Sequence, residues 1–217
     1  MARVTIDGSV REVAEGATVL QALRAVGLDV PTLCHDDRLE PYGGCRLCIV
    51  EIEGRPRPVT ACNTQVADGM KIATHSAAVE AERRTLLRLL ARDFPRDAGE
   101  GPFQDLLRRY GVEPLGASGP PASDDAHPYI NLDLSRCIDC YRCVRICDEV
   151  QGQSVWKAWG RGDRTRIAPA SGGTLLESGC VSCGACADTC PTGAIADRHG
   201  GATGWTKTLC PYCGVGC

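Results

Sequence analysis

The residues of this chain best suited to chemistry are its fifteen cysteines, which fall into four spaced groups. The groups are Cys34, Cys45, Cys48 and Cys62; Cys137, Cys140, Cys143 and Cys147; Cys180, Cys183, Cys186 and Cys190; and Cys210, Cys213 and Cys217. Iron in iron–sulfur clusters is held by thiolates, usually four for each cluster. The grouping therefore predicts iron–sulfur clusters, and it leaves no cysteine over.

The second and third groups share one spacing, C-x2-C-x2-C-x3-C, and Pro191 follows the third group. Bacterial ferredoxins with two clusters use this run, and the fourth cysteine of each run ligates the opposite cluster. We therefore predict crossed ligation. One [4Fe–4S] cluster is predicted at Cys137, Cys140, Cys143 and Cys190, and the other at Cys147, Cys180, Cys183 and Cys186.

The first group has a wider spacing, with ten residues between Cys34 and Cys45. Plant-type [2Fe–2S] sites have a four-residue first gap, so the match is to a variant of that pattern. Gly43 and Gly44 lie where the backbone must turn tightly and approach inorganic sulfide, which a residue without Cβ permits. A [2Fe–2S] cluster is predicted at Cys34, Cys45, Cys48 and Cys62.

Zinc and disulfides are the alternatives to iron. A zinc site takes two cysteine pairs rather than four cysteines within eleven residues, although the last group also fits half of such a site. Disulfides need an oxidising compartment, and residues 4–6 indicate a strand where a secretory signal would be apolar. We predict reduced, metal-binding cysteines and a cytoplasmic location.

The elements that position these cysteines follow from hydrophobic periodicity and turn residues. Strands are predicted at residues 4–6, 10–13, 49–52 and 71–73, and a short helix runs from a Thr18 cap to Gly27. Residues 77–93 are predicted to form an amphipathic helix, and Pro, Gly and Ser mark a linker over 113–126. The insertion at 150–179 is predicted to form a small hairpin that shields the clusters from water.

Residues 1–76 resemble the N-terminal [2Fe–2S] domain of complex I large iron–sulfur subunits, iron-only hydrogenases and NAD-linked formate dehydrogenase alpha subunits. The stretch from Gly44 to Cys48 bears this likeness, and residues 103–111 resemble the helix that closes the next segment. In those families a cluster bound by one histidine and three cysteines lies between the [2Fe–2S] domain and this closing helix. Residues 93–101 contain neither residue type, so we predict that this cluster has been lost.

The final residues, Cys210-Pro-Tyr-Cys213-Gly-Val-Gly-Cys217, resemble the start of a molybdenum or tungsten bis-pterin oxidoreductase domain, closest to formate dehydrogenases. The resemblance implies a further [4Fe–4S] cluster in a longer protein, completed by a ligand beyond Cys217. It also implies formate oxidation to carbon dioxide at a bis-pterin guanine dinucleotide centre in an absent C-terminal domain. This chain would then contain no catalytic residue and pass electrons toward a partner subunit that binds flavin and NAD.

The expected fold class is α+β, in four parts. These are a β-grasp [2Fe–2S] domain at 1–76, a helical segment and linker at 77–126, a two-[4Fe–4S] ferredoxin domain at 127–205, and the start of a molybdopterin oxidoreductase domain at 206–217. The net charge of −3 does not indicate nucleic-acid binding, and no apolar run is long enough for a membrane span. His35, His75, His127 and His199 are expected to be structural, exposed or in contact with sulfur, not ligands.

Two other functions remain open from the sequence. One is an electron-relay subunit of a complex I-like or hydrogenase-like complex, in which the last three cysteines are vestigial. The other is a structural or redox-sensing protein, in which clusters stabilise the fold or report oxidation.

Overall fold

A computed structural model describes residues 1–116, 123–200, 204, 206–209 and 215. Its strands are β1 Ala2–Ile6, β2 Ser9–Val13, β3 Ile49–Ile52, β4 Val59–Thr60, β5 Lys71–Ala73, β6 Ser123–Asp124, β7 Ile130–Asp133, β8 Trp156–Trp159, β9 Arg166–Pro169 and β10 Ile195–Asp197. Its α-helices are α1 Val19–Ala25, α2 Ala77–Leu90, α3 Pro102–Tyr110, α4 Arg142–Arg145 and α5 Ala185–Thr189. None of the helices in this described part is long and apolar enough to cross a membrane.

The N-terminal sheet has the strand order β2-β1-β5-β3-β4, the arrangement expected of a β-grasp domain. β1 pairs antiparallel with β2 across the turn at Asp7 and Gly8, and parallel with β5. α1 packs its Leu20 and Leu23 into the core of this sheet, and the Thr18 side chain caps its first turn by accepting from the Gln21 N–H. The predicted strands, hairpin and capped helix are confirmed.

The helix predicted over 77–93 is confirmed as α2 but ends earlier, at Leu90. Pro95 disfavours a helical conformation at Phe94, which precedes it. The Phe94 ring instead packs edge-on against Phe103 of α3, with centroids 5.0 Å apart. This aromatic pair occupies the segment in which the predicted lost cluster would have been bound, and α3 confirms the second predicted helix.

The C-terminal half is built around a sheet of order β10-β7-β6 and a separate hairpin of β8 and β9. β6 pairs with β7 through Ser123 and Asp133, so this end of the predicted linker is a strand. The hairpin predicted within 150–179 is confirmed. Trp156 is buried in the core, whereas Trp159 is 37% exposed, so only one of the two tryptophans shields the interior.

Candidate iron–sulfur sites

Two cavities in the C-terminal half are each lined by four cysteines from both runs. Cys137, Cys140, Cys143 and Cys190 line the first cavity, and Cys147, Cys180, Cys183 and Cys186 line the second. These are the two sets that crossed ligation predicts, and their role as ligands remains a prediction.

A single helical segment accounts for half of the crossing. α4 contains Cys143, and a π-helical turn at Ile146–Val150 follows it directly and contains Cys147. A π-turn is a rare irregularity that occurs often at functional sites. α5 accounts for the other half of the crossing. Cys186 within this helix lines the second cavity, whereas Cys190 at its C-terminal cap lines the first.

The first cavity combines sulfur donors with an apolar lining that includes Leu134, Ile138 and Ile167. Burial raises the pKa of Cys140 to about 11, with smaller contributions from charge on Cys190 and Cys45. Burial likewise raises the pKa of Cys143 and of Cys137. Thiolates this buried are unfavourable unless a metal neutralises them. An all-sulfur donor set in a buried, largely apolar cavity fits an iron–sulfur cluster.

The second cavity is more open at one edge. Cys183 is exposed and its neighbour Val181 is 55% exposed, whereas burial raises the pKa of Cys186 to about 12. The Val155 N–H donates to the Cys147 sulfur at 3.4 Å, and the Ser182 N–H donates to the Cys180 sulfur at 3.4 Å. N–H groups directed at sulfur tune cluster potentials. This donor set also fits an iron–sulfur cluster.

The cysteines of the first group form two close pairs. The Cys34 N–H donates to the Cys45 sulfur at 3.5 Å, and the Cys45 N–H donates to the Cys34 sulfur at 3.3 Å. Their shared hydrogen bond lowers the pKa of Cys45 to about 6 and raises the pKa of Cys34. Cys48 and Cys62 form the second pair, in which a shared hydrogen bond lowers the pKa of Cys62.

The two pairs lie at one site, because charge on Cys34 and Cys45 also acts on Cys62. The loop between Cys34 and Cys45 turns at Gly43, whose φ of +70° favours glycine. A Cβ at Gly43 would lie 2.7 Å from the Asn63 side-chain nitrogen. The left-handed backbone supports the tight turn predicted here, and the close approach of this backbone to sulfide stays a prediction.

A buried arginine of α2 supports the loop that contains Cys48. Helical spacing is the sequence signal that could have found it, because it lies four residues after Val79 and four before Leu87, on the apolar face. Arg83 of α2 is 0% exposed. Its Nε donates to the Leu47 carbonyl at 3.1 Å, its Nη2 to the Ile49 carbonyl at 2.7 Å, and its Nη1 to Glu80 at 2.7 Å. Because Leu47 and Ile49 flank Cys48, this one side chain fixes the backbone on both sides of a predicted ligand.

The two halves meet between the two-iron cysteines and the first cavity. Cys45 and Cys140 pack against one hydrophobic cluster that contains Leu47 and Ile138. The loop after Cys34 crosses to the C-terminal half, where Leu39 belongs to the ferredoxin core. The first cavity therefore lies next to the two-iron site, and the second cavity lies beyond it.

The remaining predicted site residues have simple outcomes. Cys210, Cys213 and Cys217 lie outside the described residues. The His35 ring pairs with Asp37 at 2.9 Å, and His127 is 0% exposed with Nδ1 accepting from the Ile130 N–H at 3.1 Å. Within the described residues no group of three or more His, Cys or acidic side chains is arranged to hold a single metal ion. A cluster needs a wider arrangement, because its four thiolates are divided among several irons, one on each iron of a [4Fe–4S] cluster and two on each iron of a [2Fe–2S] cluster.

Two families of domain match the sequence. Residues 1–77 match the family described as "2Fe-2S iron-sulfur cluster binding domain". Residues 127–196 match "NADH-quinone oxidoreductase subunit 3, ferredoxin-like domain". The chain contains a [2Fe–2S] domain and a ferredoxin-like domain. The mixed helix-and-strand fold expected from the sequence is thereby supported in both halves.

The curated relatives are subunits of larger oxidoreductases. The chain is 37% identical to a subunit of an NADH-quinone oxidoreductase from Rhizobium meliloti (strain 1021), covering 100% of the chain and 27% of the relative. It is 37% identical to "NADP-reducing hydrogenase subunit HndD" of Solidesulfovibrio fructosivorans, covering 92% of the chain and 36% of the relative. The chain thus spans about a third or less of the length of these relatives. Neither is named as a formate dehydrogenase.

A solved structure is similar over nearly the whole chain. It is titled "Crystal structure of NAD+-reducing [NiFe]-hydrogenase in the H2-reduced state". The superposition has a TM-score of 0.79 at 28% identity and covers 96% of this chain and 91% of that one. The similarity extends across both halves of this chain.

Proposed function

We propose that this chain relays single electrons within a multi-subunit oxidoreductase of the NADH-quinone oxidoreductase or NAD(P)-linked hydrogenase type. The observation that carries the proposal is the alignment of three cysteine sites. Cys45 of the two-iron site and Cys140 of the first cavity pack against the same hydrophobic cluster. Cys143 and Cys147, four residues apart, connect the first cavity to the second. This order of the sites supports a linear path.

The ligands belong to the proposal. They are Cys34, Cys45, Cys48 and Cys62 for a [2Fe–2S] cluster; Cys137, Cys140, Cys143 and Cys190 for one [4Fe–4S] cluster; and Cys147, Cys180, Cys183 and Cys186 for the other. When bound, such clusters accept and release one electron at a time. The residues of the chain hold the irons, exclude water and direct N–H groups at sulfur. None acts as an acid, a base or a nucleophile.

The path runs from the two-iron site to the first cavity and from there to the second, or the reverse. This arrangement supports electron transfer without the cluster that residues 93–101 lack. Phe94 and Phe103 fill that region, and the two-iron cysteines approach the first cavity directly. The prediction that the electron path uses one fewer centre is thus compatible with the contacts.

The partner we propose is a subunit that binds flavin and NAD or NADP, in the cytoplasm. The names of the relatives support a nicotinamide-linked complex.

The test of the proposed function is to express the tagged chain in its native host and purify the complex under anaerobic conditions. Electron paramagnetic resonance (EPR) then follows cluster reduction after NADH or NADPH is added. We expect both two-iron and four-iron signals to become reduced within the first turnovers. A chain that purifies alone and accepts no electrons would instead support the structural or redox-sensing function.

Formate dehydrogenase is the second candidate, favoured by the sequence Cys210-Pro-Tyr-Cys213-Gly-Val-Gly-Cys217. The same purified complex separates the two candidates. Molybdenum or tungsten in the complex, together with cluster reduction by formate in the absence of nicotinamide, would support formate oxidation. Cluster reduction by NADH, NADPH or hydrogen but not by formate supports the first candidate.

A further inference from the structure

Arg142 connects the two-iron site to the first cavity. It begins α4 immediately before Cys143, after Tyr141 in a left-handed conformation with φ of 66°. Its Nη2 donates to the His35 carbonyl, next to Cys34. Its Nη1 donates to the Thr189 carbonyl at 2.9 Å, next to Cys190. One guanidinium therefore joins backbone beside a predicted ligand of each site.

The neighbouring arginines form ion pairs with carboxylates, whereas Arg142 does not. Arg38 pairs with Asp36 and Asp188, and Arg145 pairs with Glu149. Asp36, on the Thr189 side, is engaged by Arg38 and by the Thr189 hydroxyl. In the described part of the chain no carboxylate lies within ion-pair distance of Arg142, and its buried Nε has no hydrogen-bond partner. An arginine stays charged at any physiological pH.

We propose that Arg142 is a positioning residue that holds the two-iron site against the first cavity and makes reduction of both sites easier. The inference rests on the proposed electron relay. A reduced cluster has one more negative charge than an oxidised one. A fixed cation between two clusters therefore stabilises the reduced form of each, and the effect is stronger for a partly buried charge than for one in open water. One electron leaves the reduced two-iron site and enters the oxidised four-iron site, and no bond breaks and no proton moves.

Arg145 supplies a matched control. It lies on the same short helix and also crosses between the halves, because its Nη2 donates to the Glu40 carbonyl at 2.7 Å and its guanidinium lies 5.2 Å from the Tyr42 ring centre. However, its side chain pairs with Glu149 and donates to no carbonyl next to a predicted ligand. Loss of Arg145 tests the domain contact alone, whereas loss of Arg142 also removes the unbalanced charge.

The experiment compares the anaerobically purified full chain with the variants Arg142→Gln, Arg142→Lys and Arg145→Gln. The readouts are iron content, midpoint potentials from an EPR redox titration, and the spin–spin broadening of the two-iron signal. For Arg142→Gln we expect about a tenfold weaker tendency of each of the two sites to be reduced, which is 59 mV for a one-electron couple, and reduced broadening. Arg142→Lys should largely restore the potentials, and Arg145→Gln should leave them unchanged.

The outcomes separate the inference from the function on which it rests. A wild-type chain without two-iron and four-iron signals would overturn both. A wild-type chain with all signals and an Arg142→Gln variant with unchanged potentials would overturn the inference alone. Equal shifts in Arg142→Gln and Arg145→Gln would also overturn it, because the domain contact would then explain the effect. If Arg142→Gln fails to retain iron, the inference requires that Arg142→Lys retain it with near-normal potentials.

Discussion

The two four-cysteine cavities are built alike but differ in their surroundings. Each receives three cysteines from one run and one from the other, through a short helix that begins after a left-handed residue, Tyr141 or Gly184. The first cavity lies in the C-terminal half on the side of Cys140, which packs against the same hydrophobic cluster as Cys45. The second has an exposed cysteine, Cys183, at its edge. Similar sequence runs thus give one interior site and one site near solvent.

This difference has a physical consequence for potential and durability. Solvent exposure and N–H groups directed at sulfur both set the potential of a cluster, so two sites with similar donors need not have equal potentials. An interior site is also protected from oxidants that a surface site meets. We expect the first site to act as the internal relay and the second as the more vulnerable one.

The largest expected effect comes from replacing Cys147 or Cys190, the fourth cysteine of each run, which lines the cavity formed mainly by the other run. Cys190→Ser should abolish the four-iron signal that couples to the two-iron site, although Cys190 belongs to the third cysteine group. Cys147→Ser should abolish the other four-iron signal and leave that coupling intact. Each variant should lose about four irons, since four thiolates hold one such cluster. If Cys190→Ser instead kept the coupled signal, ligation would not be crossed and the comparison would fail.

Loss of the buried Arg83 side chain should affect the two-iron site and leave the second four-iron site unchanged. Arg83→Met leaves the Leu47 and Ile49 carbonyls without their donor, at a cost of about 1–3 kcal/mol each. We expect a lower urea midpoint and a changed two-iron visible circular dichroism spectrum, with the second four-iron signal unaffected. Arg88→Met, on the exposed face of the same helix, is the control. Equal stability of the two variants would mean that Arg83 does not support the loop.

Oxidative loss should follow the order of exposure. Air or ferricyanide should destroy the second four-iron site about tenfold faster than the first, because Cys183 is exposed while Cys143 is buried. The decay of each EPR signal over time measures the two rates. Equal rates, or earlier loss of the first site, would contradict the assignment of an interior and an outer site.

The smallest expected effect is a loss of folding stability at acidic pH, caused by protonation of His127. Burial lowers the pKa of His127, whose Nε2 lies 3.3 Å from the Ser182 hydroxyl beside the second cavity. The unfolded chain therefore binds a proton that the folded chain does not, so stability falls as pH drops below about 6.5. The slope is at most about 1.4 kcal/mol per pH unit for one proton. Urea midpoints between pH 7 and 5 should show this slope in the wild type and less of it in His127→Gln.

Local patterns in the sequence predicted the local structure well. Alternating apolar residues and the Asp7-Gly8 turn predicted the first hairpin, and Thr18 predicted a helix start, because these signals depend only on near neighbours. The end of α2 was wrong by three residues, because the prediction followed periodicity alone and Pro95 disfavours a helical conformation at Phe94. Periodicity within α2 gave no warning of the contact between Phe94 and Phe103.

Long-range features could not be predicted in the same way. Helical spacing places Arg83 on the apolar face of α2 with Val79 and Leu87, but spacing does not reveal that the Leu47 and Ile49 carbonyls accept its hydrogen bonds. Leu39 lies in a loop after Cys34, yet it joins the core of the other half. The cysteine spacing predicted which thiols share a cavity, whereas the contact between the two-iron site and the first cavity required the fold.

The central claim is that the described cysteines hold three clusters of iron in an electron path. The most direct test is to purify the chain anaerobically, count iron and acid-labile sulfide, and record EPR spectra through a reductive titration. The account predicts about ten irons, with one rhombic [2Fe–2S] signal and two interacting four-iron signals, as expected for three sites of four thiolates. About fourteen irons would mean that Cys210, Cys213 and Cys217 also assemble a cluster. Zinc in place of iron would contradict the electron relay.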